Sequence, residues 1–436
     1  MWWEQTVLPS RVTVHPGPVA GAVEAPGSKS WAHRLLLLAL LARGPSRLSN
    51  LPRGDDVEAT LRAVEAFGAK VTRSGGTVSV EPPSRLRWPR CIDAGESGTT
   101  ARLVAAPASL LDKPVLVYGR GRLHRRPVRP LLEALGGLGV AWLDTGSCCP
   151  PYVVRGPARG GRAVVDAGLS SQFLSSLLIL AAGLGGLEVE ATGVSSRPYV
   201  DITVEALRLA GVSVVRMGYT LFRVEGRPAG VEARIPGDWS SAAPLLAAAA
   251  ASGGEVLVTG LEPRDPQPDR RITTVLASMG ARCLHGGLGA LCTGPGPGGL
   301  AGFEACIEDS PDLAPVLAAL ASIACGVSRI CCAARLRLKE SDRVATALDL
   351  AERAGAEAWL EEEPGKGLCI AVRGRCGPPR GGVYSSHRDH RVAMAAAVLG
   401  LAAEAPVTIE GADAVAKSYP GFWDALTALG ARVEPA

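Results

Sequence analysis

Apolar residues recur along the chain in a pattern that repeats six times, with a period of about 72 residues. Each repeat contains apolar residues three or four positions apart, which predicts an amphipathic helix, followed by a glycine and a β-prone run. Glycine is favoured directly after a helix because that residue often adopts a left-handed backbone conformation. The six glycines, 69 to 75 residues apart, are Gly68, Gly139, Gly211, Gly280, Gly355 and Gly430.

A second, strongly apolar helix is predicted about thirty residues before each amphipathic helix, and its composition indicates that it is buried. Each of these helices begins at a serine, threonine or aspartate, the residues that cap helix N-termini. Their starts lie near Ser30, Thr99, Ser170, Ser240, Asp312 and Asp389. β-prone stretches between the helices include Val115–Tyr118, Ala163–Asp166, Leu187–Ala191 and Gly254–Thr259.

Each repeat is therefore predicted to contain a buried helix, a strand, an amphipathic helix and further strands. A unit of about 72 residues has only a marginal core by itself. We expect the six units to form two domains of three, with a linker near the Pro-Ala-Gly sequence at residues 228–230.

The composition excludes several classes of protein. Apolar residues make up 47% of the 436 residues and charged residues 20%, which is not typical of a disordered chain. No apolar run approaches the ~20 residues of a membrane span, and residues 1–5 do not resemble a signal peptide, so we expect a cytoplasmic protein without membrane partners. The net charge of +4 argues against a dedicated nucleic-acid binder.

The eleven cysteines include no CxxC pair, so the sequence predicts no zinc site. We expect most of them to be small core residues, with one or two disulfides if the source is a hyperthermophile.

Several predicted helix starts carry cations and hydroxyls, and helix N-termini themselves attract anions. Three of the six lysines, Lys29, Lys339 and Lys417, lie at such starts. Ordinary capping remains an alternative for the serine-rich start at 170–172 and for the acidic start at 308–312. Together, the cations near Asp312 and Glu340 favour acid–base chemistry on a substrate with several negative charges. No P-loop, Rossmann motif or metal-ligand set accompanies them, so we expect no cofactor and no metal.

The chain resembles the EPSP synthase family, the 3-phosphoshikimate 1-carboxyvinyltransferases, over its whole length. The resemblance rests on eight short motifs in order: PGSKSWAHR, GESGTTARLV, GRGRLHRRP, SSQF, SRPYVDIT, LRLKESDR, DHRVAM and AKSYP. It implies an α/β (α+β) fold, a two-domain inside-out α/β barrel of six βαβαββ repeats, three per domain, with the active site in the cleft. The implied domains are residues 18–232 and residues 233–436, with the N-terminal segment 1–17 joining the second.

The resemblance also implies a reaction and a monomer. The 5-hydroxyl of shikimate 3-phosphate attacks C2 of phosphoenolpyruvate while C3 gains a proton, and the tetrahedral intermediate then loses phosphate. Implied catalytic residues are Asp312 as the base for the 5-hydroxyl, Glu340 as the proton donor and acceptor at C3, and Lys29. We expect Lys29→Met to abolish turnover and leave the fold intact.

Both substrates have implied binding residues. Those for shikimate 3-phosphate are Lys29, Ser30, Arg34, Ser170, Ser171, Gln172, Ser196, Tyr199, Asp312, Arg335 and Lys339. Those for phosphoenolpyruvate are Lys29, Gly98, Arg122, Gln172, Glu340, Arg343, His390, Arg391 and Lys417. Two residues depart from the family pattern: Glu96 and Arg335 stand where family members usually, or often, have asparagine. Glu96 would repel phosphoenolpyruvate unless it turned away or paired with an arginine.

Two other functions remain alternatives. A UDP-N-acetylglucosamine enolpyruvyl transferase shares the implied fold, but its members carry a cysteine in the loop corresponding to 119–127, and this chain has none there. A non-catalytic anion-binding protein would not need Asp312 and Glu340 beside the lysines. An RNA-end-processing relative would favour a larger basic excess than the net charge of +4.

Overall fold

A computed structural model describes residues 8–436, which divide into two compact units. The N-terminal unit is Gly27–Pro236, and the C-terminal unit contains Gly237–Ala436 together with the described residues up to Pro26. Within the described chain, every helix is too short or too polar to cross a membrane.

Thirteen α-helices occur in the described residues. They are α1 Lys29–Leu41, α2 Asp55–Ala66, α3 Gly98–Leu103, α4 Ala105–Ala108, α5 Arg129–Gly137, α6 Ser171–Leu184, α7 Pro198–Leu209, α8 Trp239–Ser252, α9 Ile272–Ser278, α10 Ala314–Ile323, α11 Arg343–Ala354, α12 His390–Ala402 and α13 Phe422–Ala428. The predicted buried helices begin within two residues of their expected positions, so their existence and order are confirmed.

Twenty-four strands form six four-stranded sheets, three in each unit. The strands are β1 Arg11–Val14, β2 Ala20–Glu24, β3 Ser46–Ser49, β4 Lys70–Ser74, β5 Thr77–Glu81, β6 Cys91–Asp93, β7 Val115–Tyr118, β8 Ala141–Asp144, β9 Tyr152–Arg155, β10 Arg162–Asp166, β11 Gly186–Thr192, β12 Ser213–Met217, β13 Leu221–Glu225, β14 Glu232–Arg234, β15 Glu255–Thr259, β16 Arg282–Gly286, β17 Gly289–Thr293, β18 Glu304–Cys306, β19 Val327–Cys331, β20 Glu357–Glu363, β21 Gly367–Arg373, β22 Gly382–Ser385, β23 Val407–Glu410 and β24 Val433–Pro435. All six sheets share one order, as in β6-β7-β9-β8, where β6 and β7 are parallel and the other neighbours are antiparallel.

The helices predicted to be buried form the centre of each unit. Helix α6 contacts α1, α3 and α4 in the N-terminal unit, and α8, α10 and α12 contact one another in the C-terminal unit. These helices are apolar on nearly all sides; residues 35–40 of α1, for example, are fully buried leucines and alanine. Each unit therefore has helices inside and sheets outside, because helices without a polar face need cover on every side.

The six glycines that set the sequence period all have positive φ, between 75° and 102°. A left-handed residue at these positions ends the amphipathic helix and turns the chain into the next strand. The repeat predicted from sequence is thus confirmed by the backbone conformation.

Two strands leave their own repeat and join a sheet in the other unit. Strand β2 precedes α1 but pairs with β15, and β14 precedes α8 but pairs with β3. The chain therefore changes unit at 26/27 and 236/237, nine and four residues beyond the predicted 17/18 and 232/233. Of the predicted N-terminal segment, residues 1–7 lie outside the described chain, while β1 pairs with β23 and β24.

The expectation that most cysteines are simple core residues is wrong. Eight of the eleven form four disulfides, all in the C-terminal unit, and only Cys91, Cys148 and Cys149 have free thiols. The sequence does not indicate these disulfides, because the cysteines are brought together by strand pairing between separate segments. Cys283 and Cys292, for example, lie directly opposite each other on β16 and β17.

Candidate active site

Lys29 begins helix α1 and forms an ion pair with a carboxylate that the sequence analysis missed. Its Nζ donates to Oδ2 of Asp56 at 2.8 Å, and the two side chains are 16% and 5% exposed. Removing the ammonium would take away a close countercharge of this buried carboxylate, which is costly. The expectation that Lys29→Met leaves the fold intact is therefore no longer supported, and we expect a loss of stability as well.

Arg34 lies one turn further along α1 and is fully buried. Its guanidinium donates to the carbonyl oxygens of Ser30 (2.7 Å) and Tyr199 (3.0 Å), and to hydroxyls of Thr203 and Ser175. Burial lowers the pKa of Arg34 to about 10. In this structure Arg34 links two predicted substrate-binding residues, and its guanidinium is occupied by protein acceptors.

The serine-rich start of α6 is organised by Arg102. Arg102 Nη1 donates to Gln172 Oε1 at 2.9 Å and lies 3.5 Å from Ser170 Oγ, while its Nε and Nη2 bind the Pro127 carbonyl. Gln172 donates from Nε2 to Thr99 Oγ1 at 2.9 Å. Ser170 caps the helix, as the capping alternative expected, because its hydroxyl accepts from the Gln172 backbone N–H. Capping does not account for the contact between Ser170 and Arg102.

Ser171 and Ser196 are both buried, and Tyr199 lies in the first turn of α7. Ser196 has a φ of 49°, a conformation that a serine rarely adopts. Strained backbone of this kind occurs frequently at functional sites.

The first turn of α3 is covered by Arg126, a residue that was absent from the predicted site. A Cβ atom added to Gly98 would overlap the Arg126 guanidinium, so only glycine leaves room for it. Arg126 is buried and Arg122 is half-buried. The geometry therefore adds Arg126 to the candidate anion-binding residues.

Glu96 lies against the segment that carries these arginines. Gly121 has a φ of 61°, and a Cβ there would overlap Oε1 of Glu96. The Glu96 carboxylate thus lies against the backbone at Gly121.

Arg343 is the centre of the candidate site in the C-terminal unit. It begins α11, is 1% exposed, and donates to Asp312 Oδ1 (2.7 Å), Glu340 Oε2 (3.0 Å) and Asp389 Oδ2 (2.8 Å). Two further contacts, to Asp389 Oδ1 (3.3 Å) and the Pro311 carbonyl (3.5 Å), bring the number of contacts to five, which equals the number of N–H donors of a guanidinium. The two predicted acid–base residues, Asp312 and Glu340, are therefore held by one guanidinium.

Asp312 is ionised in this arrangement. Burial alone would raise the pKa of Asp312, but the charges of Lys339, Arg343 and Arg391 together hold that pKa well below its usual value. Lys339 Nζ lies 3.6 Å from Asp312 Oδ1. Burial likewise disfavours the charge on Arg343, but the carboxylates of Asp389, Glu340 and Asp312 raise its pKa well above the usual value.

Asp389 caps helix α12 and fixes several side chains at once. It accepts from the Arg391 backbone N–H (2.9 Å), Ser341 Oγ (2.9 Å) and Arg343. The predicted His390 follows it and is buried, with Nδ1 3.6 Å from Asp389 Oδ1. Asp389 thereby joins the starts of helices α11 and α12.

Arg391 connects this cluster to the start of helix α8. It donates from Nη1 to the Ser240 carbonyl at 2.5 Å, and its Nη2 is 3.9 Å from Asp238 Oδ2. Ser240 Oγ donates in turn to Asp269 Oδ2. Burial and the neighbouring charge of Asp312 raise the pKa of Asp269 to about 7.

Two further predicted residues of this unit are Arg335 and Lys417. Arg335 donates to the carbonyl oxygen of Glu308, in the segment that leads to Asp312. Lys417 is 8% exposed at the end of a short 3₁₀ helix, Ala412–Lys417.

Five residues at these positions were absent from the predicted site: Asp56, Arg102, Arg126, Asp269 and Asp389. Asp389 and Arg102 belong to motifs that the sequence analysis quoted, and their positions at helix starts were a usable signal. No sequence signal pointed to Asp56 or Asp269, because their partners Lys29 and Ser240 lie 27 and 29 residues away in sequence.

A sequence model described as EPSP synthase (3-phosphoshikimate 1-carboxyvinyltransferase) matches residues 14–426. The chain belongs to the EPSP synthase family.

Relatives within this family match nearly the full chain. A 3-phosphoshikimate 1-carboxyvinyltransferase from Aeropyrum pernix is 49% identical over 429 residues, covering 98% of this chain and 97% of that protein. The protein of that name from Methanopyrus kandleri is 42% identical, covering 95% and 97%. A solved EPSP synthase from Acinetobacter baumannii superposes with a TM-score of 0.78 at 26% identity, covering 97% of this chain and 99% of that one. The predicted two-domain α/β fold and its family are confirmed.

Proposed function

We propose that the protein transfers the enolpyruvyl group of phosphoenolpyruvate to the 5-hydroxyl of shikimate 3-phosphate, giving 5-enolpyruvylshikimate 3-phosphate and phosphate. Membership of the EPSP synthase family supports this assignment. The structural observation that carries it is the single buried guanidinium of Arg343, which holds Asp312 and Glu340 together. An anion-binding protein without chemistry has no need for two carboxylates at that place.

In the C-terminal unit, Asp312 would take the proton of the 5-hydroxyl and Glu340 would deliver a proton to C3, then remove one as phosphate leaves. The low pKa of Asp312 makes it a weak base while Arg343 and Lys339 hold it. An incoming phosphate or carboxylate group would take up some of these N–H donors. The pKa of Asp312 would then rise, so the base is strengthened only after substrate binds.

In this proposal, phosphoenolpyruvate would be surrounded by Arg343, His390, Arg391 and Lys417, while Lys339 would contact shikimate 3-phosphate. Fixed cations matter here because negative charge moves onto the departing phosphate oxygen, and preorganised groups stabilise that charge without rearrangement. Arg391 is already oriented by Ser240 and Asp238, and Arg343 by Asp389.

In the N-terminal unit, Ser170, Ser171 and Ser196 would bind the phosphate of shikimate 3-phosphate, with Gln172 and Tyr199 beside them. Ser30 would bind on the carboxylate side, and Arg34 would orient Ser30 and Tyr199 through their carbonyl oxygens. Lys29, Gly98, Arg122 and Arg126 would contact phosphoenolpyruvate. Arg335, in the C-terminal unit, would add a contact to shikimate 3-phosphate.

The test is phosphate release by purified protein given phosphoenolpyruvate and one of two acceptors. We expect release with shikimate 3-phosphate and none with UDP-N-acetylglucosamine. Release only with the second acceptor would assign the related enolpyruvyl transferase activity instead. Release with neither acceptor, from protein with a native circular dichroism spectrum, would contradict the enzymatic proposal. Size-exclusion chromatography with light scattering would test the expected monomer.

A further inference from the structure

The cysteines of the two units differ completely in their bonding. All eight cysteines in the C-terminal unit are in disulfides, whereas the three in the N-terminal unit are free thiols. Eight cysteines can form four disulfides in 105 different ways, and the fold brings one of these pairings together. The four pairs are Cys283–Cys292, Cys306–Cys332, Cys325–Cys376 and Cys331–Cys369.

Three of these disulfides lie in one repeat and join the sheet that contains β18, β19 and β21. Cys325 and Cys376 connect the chain just before β19 to the chain just after β21. Cys331 on β19 is bonded to Cys369 on β21. At that same end of β19, the next residue, Cys332, is bonded to Cys306, the last residue of β18.

The Cys306–Cys332 disulfide lies where two functional segments leave the sheet. Residues 307–313 follow Cys306 and carry Asp312, and residues 333–343 follow Cys332 and carry Lys339, Glu340 and Arg343. Strands β18 and β19 pair over only three residues, and the backbone bond from Ile307 N–H to the Cys331 carbonyl is the next contact beyond them. A covalent bond at this point holds the two segments together where the strand ladder ends.

Beyond the disulfide, three side-chain contacts join the two segments. Arg335 donates to the Glu308 carbonyl, Lys339 lies 3.6 Å from Asp312, and Arg343 donates to Asp312 at 2.7 Å. The relative position of Asp312 and Glu340 therefore depends on polar contacts anchored at Cys306 and Cys332.

We propose that the Cys306–Cys332 disulfide is a positioning pair for the acid–base residues, so that the enzyme reaches its full turnover rate only when this bond is closed. The proposal rests on the proposed enolpyruvyl transfer. It makes turnover sensitive to reduction, because displacement of about 1 Å at a reacting centre can lower a rate by about a hundredfold.

The bond is open to small reductants. Cys306 and Cys332 are half-buried, whereas Cys331 and Cys369 are buried. A thiolate of a dithiol such as dithiothreitol attacks one sulfur, and its second thiol then closes to a cyclic disulfide. The two electrons pass to the cystine, which becomes two thiols, and a small-molecule disulfide reverses the exchange.

The first experiment counts thiols in unfolded, non-reduced protein. We expect three reactive thiols per chain and a disulfide-linked peptide pair containing Cys306 and Cys332. Eleven thiols would overturn the proposal, as would bound metal in place of this bond. That second outcome is a real alternative since Cys306, Glu308 and Cys332 lie close enough to share an ion.

The second experiment compares Cys306→Ser/Cys332→Ser with the control Cys325→Ser/Cys376→Ser, which removes the disulfide at the other end of β19. We expect kcat to fall about tenfold to a hundredfold in the first variant and to stay within twofold in the control, with KM values changing less than kcat. Hydrogen exchange should rise in 307–313 and 333–342 in the first variant only. Equal kcat in both variants, or equal losses in both, would overturn the proposal.

Reduction of the folded parent by dithiothreitol provides the same comparison without mutation. It should lower kcat of the parent and of the control variant, and a small-molecule disulfide should restore both. A parent that turns over no substrate refutes the proposed function, and hydrogen exchange then still decides whether the disulfide fixes these two segments.

Discussion

Arg343 donates a hydrogen bond from Nη1 to Oδ1 of Asp312 at 2.7 Å, although the two residues are 31 positions apart. The bond links the start of helix α11 to the segment before α10, and Arg343 binds Glu340 and Asp389 in the same place. Three carboxylates thus share one buried cation. The stability of this repeat and the charge state of its candidate base depend on the same side chain.

Arg343→Gln should destabilise the protein by about 3–5 kcal/mol, because it leaves carboxylates buried around a neutral group. Urea unfolding measures the change. The matched control is Arg353→Gln in the same helix. Arg353 is exposed and pairs with the half-buried Asp349, so its loss should cost about 1 kcal/mol or less. Equal losses in the two variants would show that the buried cluster contributes no more than a surface ion pair.

Glu340→Gln should lower kcat by about 10²–10⁴ and change both KM values much less, because the amide keeps the shape but cannot exchange a proton with C3. Steady-state phosphate release measures this. Glu352→Gln, on the exposed side of α11, serves as the control and should behave like the parent. A normal kcat in Glu340→Gln would remove Glu340 from the chemistry.

Lys29→Met should abolish turnover and also lower stability by about 1–3 kcal/mol, since Asp56 loses its 2.8 Å ammonium contact. The double variant Lys29→Met/Asp56→Asn should recover most of the stability and none of the activity. Thermal unfolding and phosphate release together separate the two effects. Recovery of activity in the double variant would mean that Lys29 acts only by balancing Asp56.

Asp269 should make stability depend on pH. Its pKa is raised to about 7, from about 4 in an unfolded chain, so the folded protein holds an extra proton between these values. The stability that this proton provides is fully present below about pH 4 and is lost as the pH rises through about 7. Asp269→Asn should remove this dependence.

Differential scanning fluorimetry from pH 5 to pH 8 checks the prediction. The unfolding temperature of the parent should fall over this range by at least about 2 °C more than that of Asp269→Asn. Asp413→Asn, an exposed residue, should follow the parent. Parallel curves for the parent and Asp269→Asn would mean that the Asp269 carboxyl is ionised throughout.

The repeat and the family could be predicted from the sequence because their signals are local. A glycine after an amphipathic helix and a serine or aspartate before a buried helix act within a few residues, and all six glycines have positive φ as expected. Two exchanged strands could not be predicted in the same way. Nothing within β2 or β14 indicates which sheet each one joins.

The sequence motifs predicted many residues of the candidate site, but they did not predict which distant side chains pair with one another. Charged residues at predicted helix starts could be identified from the sequence; these are Lys29, Asp312, Glu340 and Arg343. Asp56, Asp269 and the four disulfides depend on which distant segments meet, and that is decided by strand register and helix packing. The position of Arg126 beside Gly98 likewise follows from side-chain direction, which motif spacing does not give.

The strand exchange also has a consequence for engineering. Strand β24 runs beside β1, and the Ala436 N–H donates to the Arg11 carbonyl at 3.1 Å, so the two ends of the described chain adjoin. A circular permutant that begins at Gly27, joins Ala436 to residue 8 through a short linker and ends at Pro26 would encode each unit as one uninterrupted stretch. The gene could then be divided at 236/237 into two halves, each with all the strands of its own sheets.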